Sequence, residues 1–156
     1  MRPNQFVGTW RLVSWEMRNT NGYVSYPYGK DAIGYLIYTE EGYMSVMIMS
    51  ANRPRFASNK IFGGTTEERA AATETYMSYG GKYEIKGNQV IHRIEVSIFP
   101  NWVGLDQKRF FEFRENQLLL STPTLKISDQ KQTGHLIWQR QNNSKLSIKN
   151  SKLTSS

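Results

Sequence analysis

The fold class is decided by residues 33–49, which read IGYLIYTEEGYMSVMIM. Two runs rich in β-branched and aromatic residues, 33–39 and 43–49, flank the turn sequence Glu40-Glu41-Gly42. Such runs are typical of strands, and a short connection that contains glycine is typical of a hairpin. This segment therefore predicts two neighbouring antiparallel strands.

Further strands are predicted on the same grounds, each bounded by turn residues. They cover residues 7–17, 82–86, 89–99, 107–114, 117–122 and 134–141. Eight antiparallel strands joined mostly by short hairpins close into a barrel just wide enough for side chains or one small ligand. The predicted fold class is all-β, an eight-stranded antiparallel barrel, and a seven- or eight-stranded sandwich is the alternative.

One short helix is predicted between the third and fourth of these strands. Residues 65–68 fit a capping box with Thr65 as the N-cap, and the three alanines at 70–72 favour helix. Gly80-Gly81 is predicted to end the helix. A short apolar stripe at helical spacing would dock it on the barrel. The stripe consists of Ala72, Tyr76 and Tyr79.

Length and charge divide the chain into a domain and a tail. Its 156 residues suit one barrel domain over residues 1–141, and the Ser-, Asn- and Lys-rich segment 142–156 is predicted to be a flexible tail. The formal net charge is +7, but basic residues of the domain alternate with acids, as at Arg93 and Glu95. A solvated barrel wall gives that pattern as readily as a phosphate-binding surface, so we expect no nucleic-acid partner.

Several classes of chemistry are excluded by composition. The chain has no cysteine, which rules out disulfides and thiol chemistry, and two histidines are too few for a metal site. We therefore expect no metal and no cofactor. No apolar stretch suggests a signal peptide or a membrane span, so a cytoplasmic protein is expected, with its oligomeric state left open.

Residues 89–99 give the clearest assignment of strand faces, because alternate residues of a strand point to opposite sides. The almost wholly apolar face consists of Val90, His92, Ile94, Val96 and Ile98. That face is predicted to point inward and to carry His92 inside the barrel. An inward histidine is either a hydrogen-bonded core residue, a ligand contact or a general base, and haem ligation is a weaker alternative.

Strand 107–114 places a positive charge on its less charged face, which holds Arg109, Phe111 and Phe113. A buried arginine is costly unless paired, whereas one that faces a cavity suits a ligand carboxylate. The alternative is that Arg109 lies at the rim and reaches water. Because consecutive strands usually pair, Arg109 and His92 are predicted to approach each other and to favour an acidic or phenolic group. A one-residue error in phase would turn both outward.

The remaining candidate ligand contacts lie on other strands and in one loop. They are Tyr35, Met47, Asn101 and Trp102, and Phe111, on the same face as Arg109, is a further candidate. Aromatic rings suit pocket walls, and methionine adapts to irregular ligands although it fills cores equally well. Residues 99–102 form either a portal lip or a packed corner. In the first strand, Trp10 and Leu12 alternate with Val13 and Trp15, and a β-bulge between the pairs would turn both inward.

Gly8-Thr9-Trp10 in the first strand and Trp138-Gln139-Arg140 in the last resemble the lipocalin signature. The resemblance implies that Trp10 closes the bottom of the barrel, that Gly8 permits close approach and that Arg140 packs over the indole. Longer strings resemble the bacterial lipocalin-like domain family over residues 6–140. They are residues 26–29, 34–39, 42–45, 53–56, 99–104 and 120–123. The family implies a calycin-type barrel and no single activity, although some members lie beside biosynthetic genes.

These observations predict a small-molecule binding protein that holds an apolar or amphipathic, and in one version acidic, ligand inside the barrel. The alternative is a cofactor-free isomerase, cyclase or hydrolase-like enzyme in a biosynthetic pathway, with His92 as the candidate catalytic base. A structural or interaction role is the third hypothesis. The sequence contains neither G-x-S-x-G nor H-E-x-x-H, so the question of catalysis stays open.

Overall fold

The computed structural model describes residues 4–127 and 129–141, so the predicted tail 142–156 lies outside the described residues. The elements, in chain order, are β1 (Gly8–Asn19), β2 (Val24–Ser25), β3 (Ile33–Tyr38), β4 (Tyr43–Met49), α1 (Thr66–Glu74), β5 (Tyr76–Lys86), β6 (Gln89–Ser97), a 3-10 turn (Pro100–Trp102), β7 (Asp106–Arg114), β8 (Gln117–Ser121), β9 (Leu125–Ile127) and β10 (Gln130–Arg140).

The sheet closes on itself. Its strand order is β2-β1-β3-β4-β5-β6-β7-β8-β10-β9, and β1 also pairs with β10. The eight long strands thus form a closed antiparallel barrel, while the short β2 and β9 extend β1 and β10 locally. This confirms the predicted barrel and excludes the open sandwich, because closure leaves the long strands no free edge. The helix follows β4 rather than the third strand, since the two-residue β2 adds one to the count.

The start of the helix is as predicted, but its end is not. Thr65 and Glu68 form the reciprocal capping box, and α1 stops at Glu74. Gly80-Gly81, predicted to end the helix, lies inside β5, and so do Tyr76 and Tyr79 of the expected apolar stripe. A Cβ atom at Gly81 would lie 2.0 Å from the Arg93 carbonyl oxygen, so this glycine permits the close approach of β5 and β6.

Two β-bulges set which residues face inward. The pairing of β1 with β10 shifts between Leu12 and Ser14; Val13 is 47% exposed, whereas Leu12 and Met17 are both buried. The pairing of β5 with β6 shifts between Gly80 and Gly81, where Glu95 of β6 is skipped. A bulge reverses the alternation beyond it, so the inward prediction for Val96 and Ile98 is wrong, and Val96 is 66% exposed.

One end of the barrel is filled by interlocking rings. The Phe6 ring packs edge-on against Tyr38, Phe111 and Phe113, with centroids 5.2, 4.8 and 5.0 Å away. The Trp10 indole N–H donates to the Phe6 carbonyl oxygen at 2.9 Å. Offset and edge-on aromatic pairs of this kind add stability beyond their buried area. We call this region, formed by Phe6, Trp10, Phe111, Phe113 and Arg140, the closed end.

Arg140 ties the two chain segments of the closed end together. Its guanidinium lies 4.1 Å from the centre of the Trp10 ring and donates to the carbonyl oxygens of Val7, at 2.9 Å, and Gln5. Gly8 has φ +137°, and a Cβ atom there would lie 3.0 Å from Arg140 Nη1. Glycine is therefore favoured by both the backbone conformation and the limited space.

Candidate functional site

The other half of the barrel holds a cavity of about 430 Å³. Its walls come from inward-facing residues of the barrel strands, from Trp102 of the 3-10 turn and from Pro27 in the loop before β3. Most of the lining is apolar or aromatic: Trp15, Met17, Pro27, Leu36, Val46, Ile48, Met77, Tyr79, Trp102, Leu120, Leu125, Leu136 and Trp138. The polar side chains that line it are His92, Gln107, Arg109 and Thr122. A cavity of this size, mostly apolar with a few polar groups, is typical of small-molecule sites.

His92 lies on the cavity wall but is held between two tyrosines. Its Nε2 atom is 2.7 Å from the Tyr38 hydroxyl oxygen, and its Nδ1 atom is 2.7 Å from the Tyr79 hydroxyl oxygen. The imidazole is only 2% exposed. We call Tyr38, His92 and Tyr79 the tyrosine–histidine row.

Burial keeps every member of this row uncharged near neutral pH. It lowers the pKa of His92 to about 3, and the positive charge of Arg109 acts in the same direction. Burial raises the pKa of Tyr38 well above its ordinary value, and raises that of Tyr79 as well, against the opposing charge of Arg109. Desolvation penalises whichever form of a group is charged, which explains both directions.

Arg109 is the cation of the cavity. Its Nη1 atom donates to the Lys108 carbonyl oxygen at 2.9 Å and, more weakly, to Gln107 Oε1 at 3.4 Å. Within residues 4–127 and 129–141, no carboxylate lies within salt-bridge distance of it. A guanidinium beside an apolar cavity without an acidic partner is suited to an anionic or strongly hydrogen-bond-accepting group.

The described part of the chain contains neither a cluster of potential metal ligands nor a helix that could span a membrane. Among these residues, no group of three or more His, Cys, Asp or Glu side chains is placed to hold a metal ion. Their longest helix is too short and too polar to cross a bilayer.

Comparison with known proteins agrees with this geometry. A family model described as a lipocalin-like domain matches residues 7–141, almost all of the described chain. The chain belongs to the lipocalin-like domain family. A 4'-hydroxy-3'-methoxypropiophenone carrier protein of Aspergillus oryzae is 32% identical over 106 residues, which cover 62% of this chain and 96% of that protein. No solved structure matches.

The lipocalin-like barrel brings three of the candidate ligand contacts together. His92, Arg109 and Trp102 all line the cavity, and the Trp102 ring lies edge-on to Tyr79 with centroids 5.8 Å apart. His92 and Arg109 sit on the paired strands β6 and β7, where His92 faces Gln107 and Val90 faces Arg109. The 3-10 turn thus turns Trp102 toward the cavity.

The other four candidates lie elsewhere. Tyr35 and Met47 are cross-strand partners on the outer surface, and Tyr35 is 40% exposed. They point outward because the residues next to them in β3 and β4 point inward. Asn101 is exposed on the 3-10 turn and does not line the cavity. Phe111 belongs to the closed end. We do not include these residues in the candidate site.

Sequence reasoning missed both tyrosines of the row. Tyr38 shares the inward face of β3 with Leu36, so alternation alone could have found it once the phase was known. The sequence pattern predicts that Tyr79 belongs to the helix, because Gly80-Gly81 resembles a helix end, and no local signal indicates that it lies in β5. The partners of His92 therefore depend on pairings between strands distant in sequence.

Proposed function

We propose that this lipocalin-like barrel carries a small amphipathic molecule in its cavity without changing it. The single observation that supports the proposal most strongly is the cavity of about 430 Å³, apolar on most sides and with Arg109 in its wall. The apolar body of a ligand would displace water from the aliphatic and aromatic wall, which favours binding. Its polar or acidic group would lie toward Arg109.

The ligand we propose is aromatic. The relative from Aspergillus oryzae is named as a carrier of 4'-hydroxy-3'-methoxypropiophenone, an aryl ketone with a hydroxyl and a methoxy group. Here, Trp15, Tyr79 and Trp102 offer rings to the cavity, and aromatic rings pack well edge-on or offset against one another. We also propose that the carrier acts in the cytoplasm.

The geometry does not favour the enzymatic alternative with His92 as base. Both ring nitrogens are already engaged by tyrosine hydroxyls, and a pKa of about 3 makes the imidazole a weak proton acceptor near neutral pH. A general base is most effective when its pKa lies near the working pH. Binding without reaction therefore explains the site with fewer assumptions.

The proposal is tested by titration calorimetry with 4'-hydroxy-3'-methoxypropiophenone. Met77→Trp would fill part of the cavity, whereas Met47→Trp, on the outer face of β4, is the matched control. We expect saturable one-to-one binding to the wild type and to Met47→Trp, and at least tenfold weaker binding to Met77→Trp. Equal affinity of all three proteins, or no heat of binding to the wild type, would refute the proposal.

A further inference from the structure

In the tyrosine–histidine row, the positions of the hydrogens determine which atom donates in each of the two hydrogen bonds. A neutral imidazole carries one N–H hydrogen and each hydroxyl carries one, so the row has three hydrogens for its two internal hydrogen bonds. One hydrogen is left over at one end of the row. Which end it occupies determines the tautomer of His92.

The Tyr38 end offers no acceptor for that hydrogen. Tyr38 is buried among the rings of Phe6 and Tyr83 and does not line the cavity. Within the described residues, its hydroxyl makes a hydrogen bond with His92 alone. A hydroxyl hydrogen left there would be a buried donor without a partner, which is costly.

The Tyr79 end offers space. Tyr79 lines the cavity, and its hydroxyl makes its hydrogen bond, among the described residues, with His92 Nδ1. A hydrogen that points from this hydroxyl into the cavity can reach water or a ligand. A leftover hydrogen at Tyr79 therefore costs less free energy than one at Tyr38.

We propose that the row has a fixed direction: Tyr38 donates to Nε2, the Nδ1–H group of His92 donates to the Tyr79 oxygen, and the Tyr79 hydroxyl donates into the cavity. The Arg109 guanidinium likewise offers the cavity hydrogen-bond donors and no acceptor. This inference rests on the carrier function proposed above. The direction of the row defines the polar group of the ligand as a hydrogen-bond acceptor, a carbonyl or an ionised oxygen. Tyr38, which does not touch the cavity, is a positioning residue.

The first test measures the tautomer of His92 by ¹⁵N NMR near pH 7. A His135→Gln variant leaves His92 as the sole imidazole of the 156-residue chain and removes the ambiguity of assignment. We expect a pyrrole-like Nδ1 signal and a pyridine-like Nε2 signal. The opposite pattern would overturn the proposed direction. In Tyr38→Phe the donor to Nε2 is lost, and we expect the two signals to move toward each other.

The second test compares acetophenone with α-methylstyrene, which has nearly the same shape but a methylene group in place of the carbonyl oxygen. The ratio of their dissociation constants in the wild type is compared with the ratio in Tyr79→Phe. We expect the variant to lose about fivefold to tenfold of the relative preference for acetophenone, the effect of one hydrogen bond. Tyr38→Phe is expected to lose a smaller part.

The outcomes separate this inference from the carrier function. If both compounds bind and the ratio is the same in the wild type and Tyr79→Phe, the inference is wrong while the carrier function stands. If neither compound binds the wild type, binding of this ligand class is refuted, and the tautomer measurement still decides the direction of the row.

Discussion

The two halves of the barrel use the same residue types for different purposes. At the closed end, the Trp10 indole N–H is bonded to the Phe6 carbonyl oxygen, and Arg140 covers the ring. In the cavity half, the buried indole N–H of Trp138 has no hydrogen-bond partner among the described residues, and Arg109 faces no carboxylate there. Paired polar atoms and filled space indicate stability, whereas unpaired donors around a void indicate a place for a ligand.

The largest expected effect comes from removing the ring that fills the closed end. Trp10→Ala is expected to lower the free energy of unfolding by about 3–5 kcal/mol, because it leaves a large cavity and frees the Phe6 carbonyl oxygen. Trp102→Ala, at the half-buried cavity wall, is expected to cost clearly less. Urea denaturation of both variants measures this. Equal losses would mean that the two halves do not differ in packing.

His92 stands between the two halves and links stability to pH. Its pKa is about 3 in the fold, below the ordinary 6.5. Between pH 3 and pH 6.5 the unfolded chain therefore binds a proton at His92 more readily than the folded protein does. The stabilisation that depends on neutral His92 is full above pH 6.5 and is lost as the pH falls toward 3. Between pH 7 and pH 4 the loss is about 3 kcal/mol.

Comparing the pH slopes of wild type and variants isolates this contribution. Tyr38 and Tyr79, which contact His92, titrate only at alkaline pH, and the charged neighbour that acts on the pKa of His92 is Arg109. We expect His92→Gln to remove most of the slope between pH 4 and 7. His135→Gln, whose histidine has a pKa lowered mainly by partial burial, should remove less. An unchanged slope in His92→Gln would contradict the assigned burial of a neutral imidazole.

The charge of the cavity is probed by Arg109→Met. We expect the dissociation constant of benzoate to rise on the order of tenfold, with little change in stability, because the variant keeps the apolar stem and removes the charge-assisted donor. Lys108→Met is the matched control, since Lys108 is exposed on the outer face of the same strand. If both variants weaken benzoate binding alike, the effect comes from long-range charge, and direct contact between Arg109 and the ligand is excluded as its cause.

The smallest expected effect lies outside both halves. Thr65→Ala removes the N-cap of α1, which has no buried residue of its own. We expect a loss of about 1 kcal/mol or less in unfolding free energy and no change in ligand affinity. A change in affinity, measured by the same calorimetric titration, would indicate that the helix takes part in binding.

Sequence patterns predicted what depends on neighbours in the chain. The bounds of β4 and the capping box of α1 follow from alternation and from cap chemistry within a few residues. The phase of β6 was right as far as Ile94 and wrong beyond it, because the skipped Glu95 reverses the faces. A bulge of this kind is defined by the partner strand, which a single strand's pattern does not contain.

The candidate site shows the same division. His92 and Arg109 could be placed because each lies on a strand whose two faces differ clearly in the number of charged residues. Tyr35 and Met47 sit on strands whose two faces are similarly apolar, so their outward position needed the pairing of β3 with β4. The tyrosines that hold His92 come from β3 and β5 and could not be assigned to it from β6 alone.

A crystal structure at saturating 4'-hydroxy-3'-methoxypropiophenone would show whether the cavity half carries an amphipathic aromatic molecule. We expect the ring between Trp15 and Trp102, with one of its oxygens within hydrogen-bond distance of Arg109 or the Tyr79 hydroxyl. A cavity that holds only water under these conditions, or a ligand bound on the outer surface, would contradict the proposed carrier function.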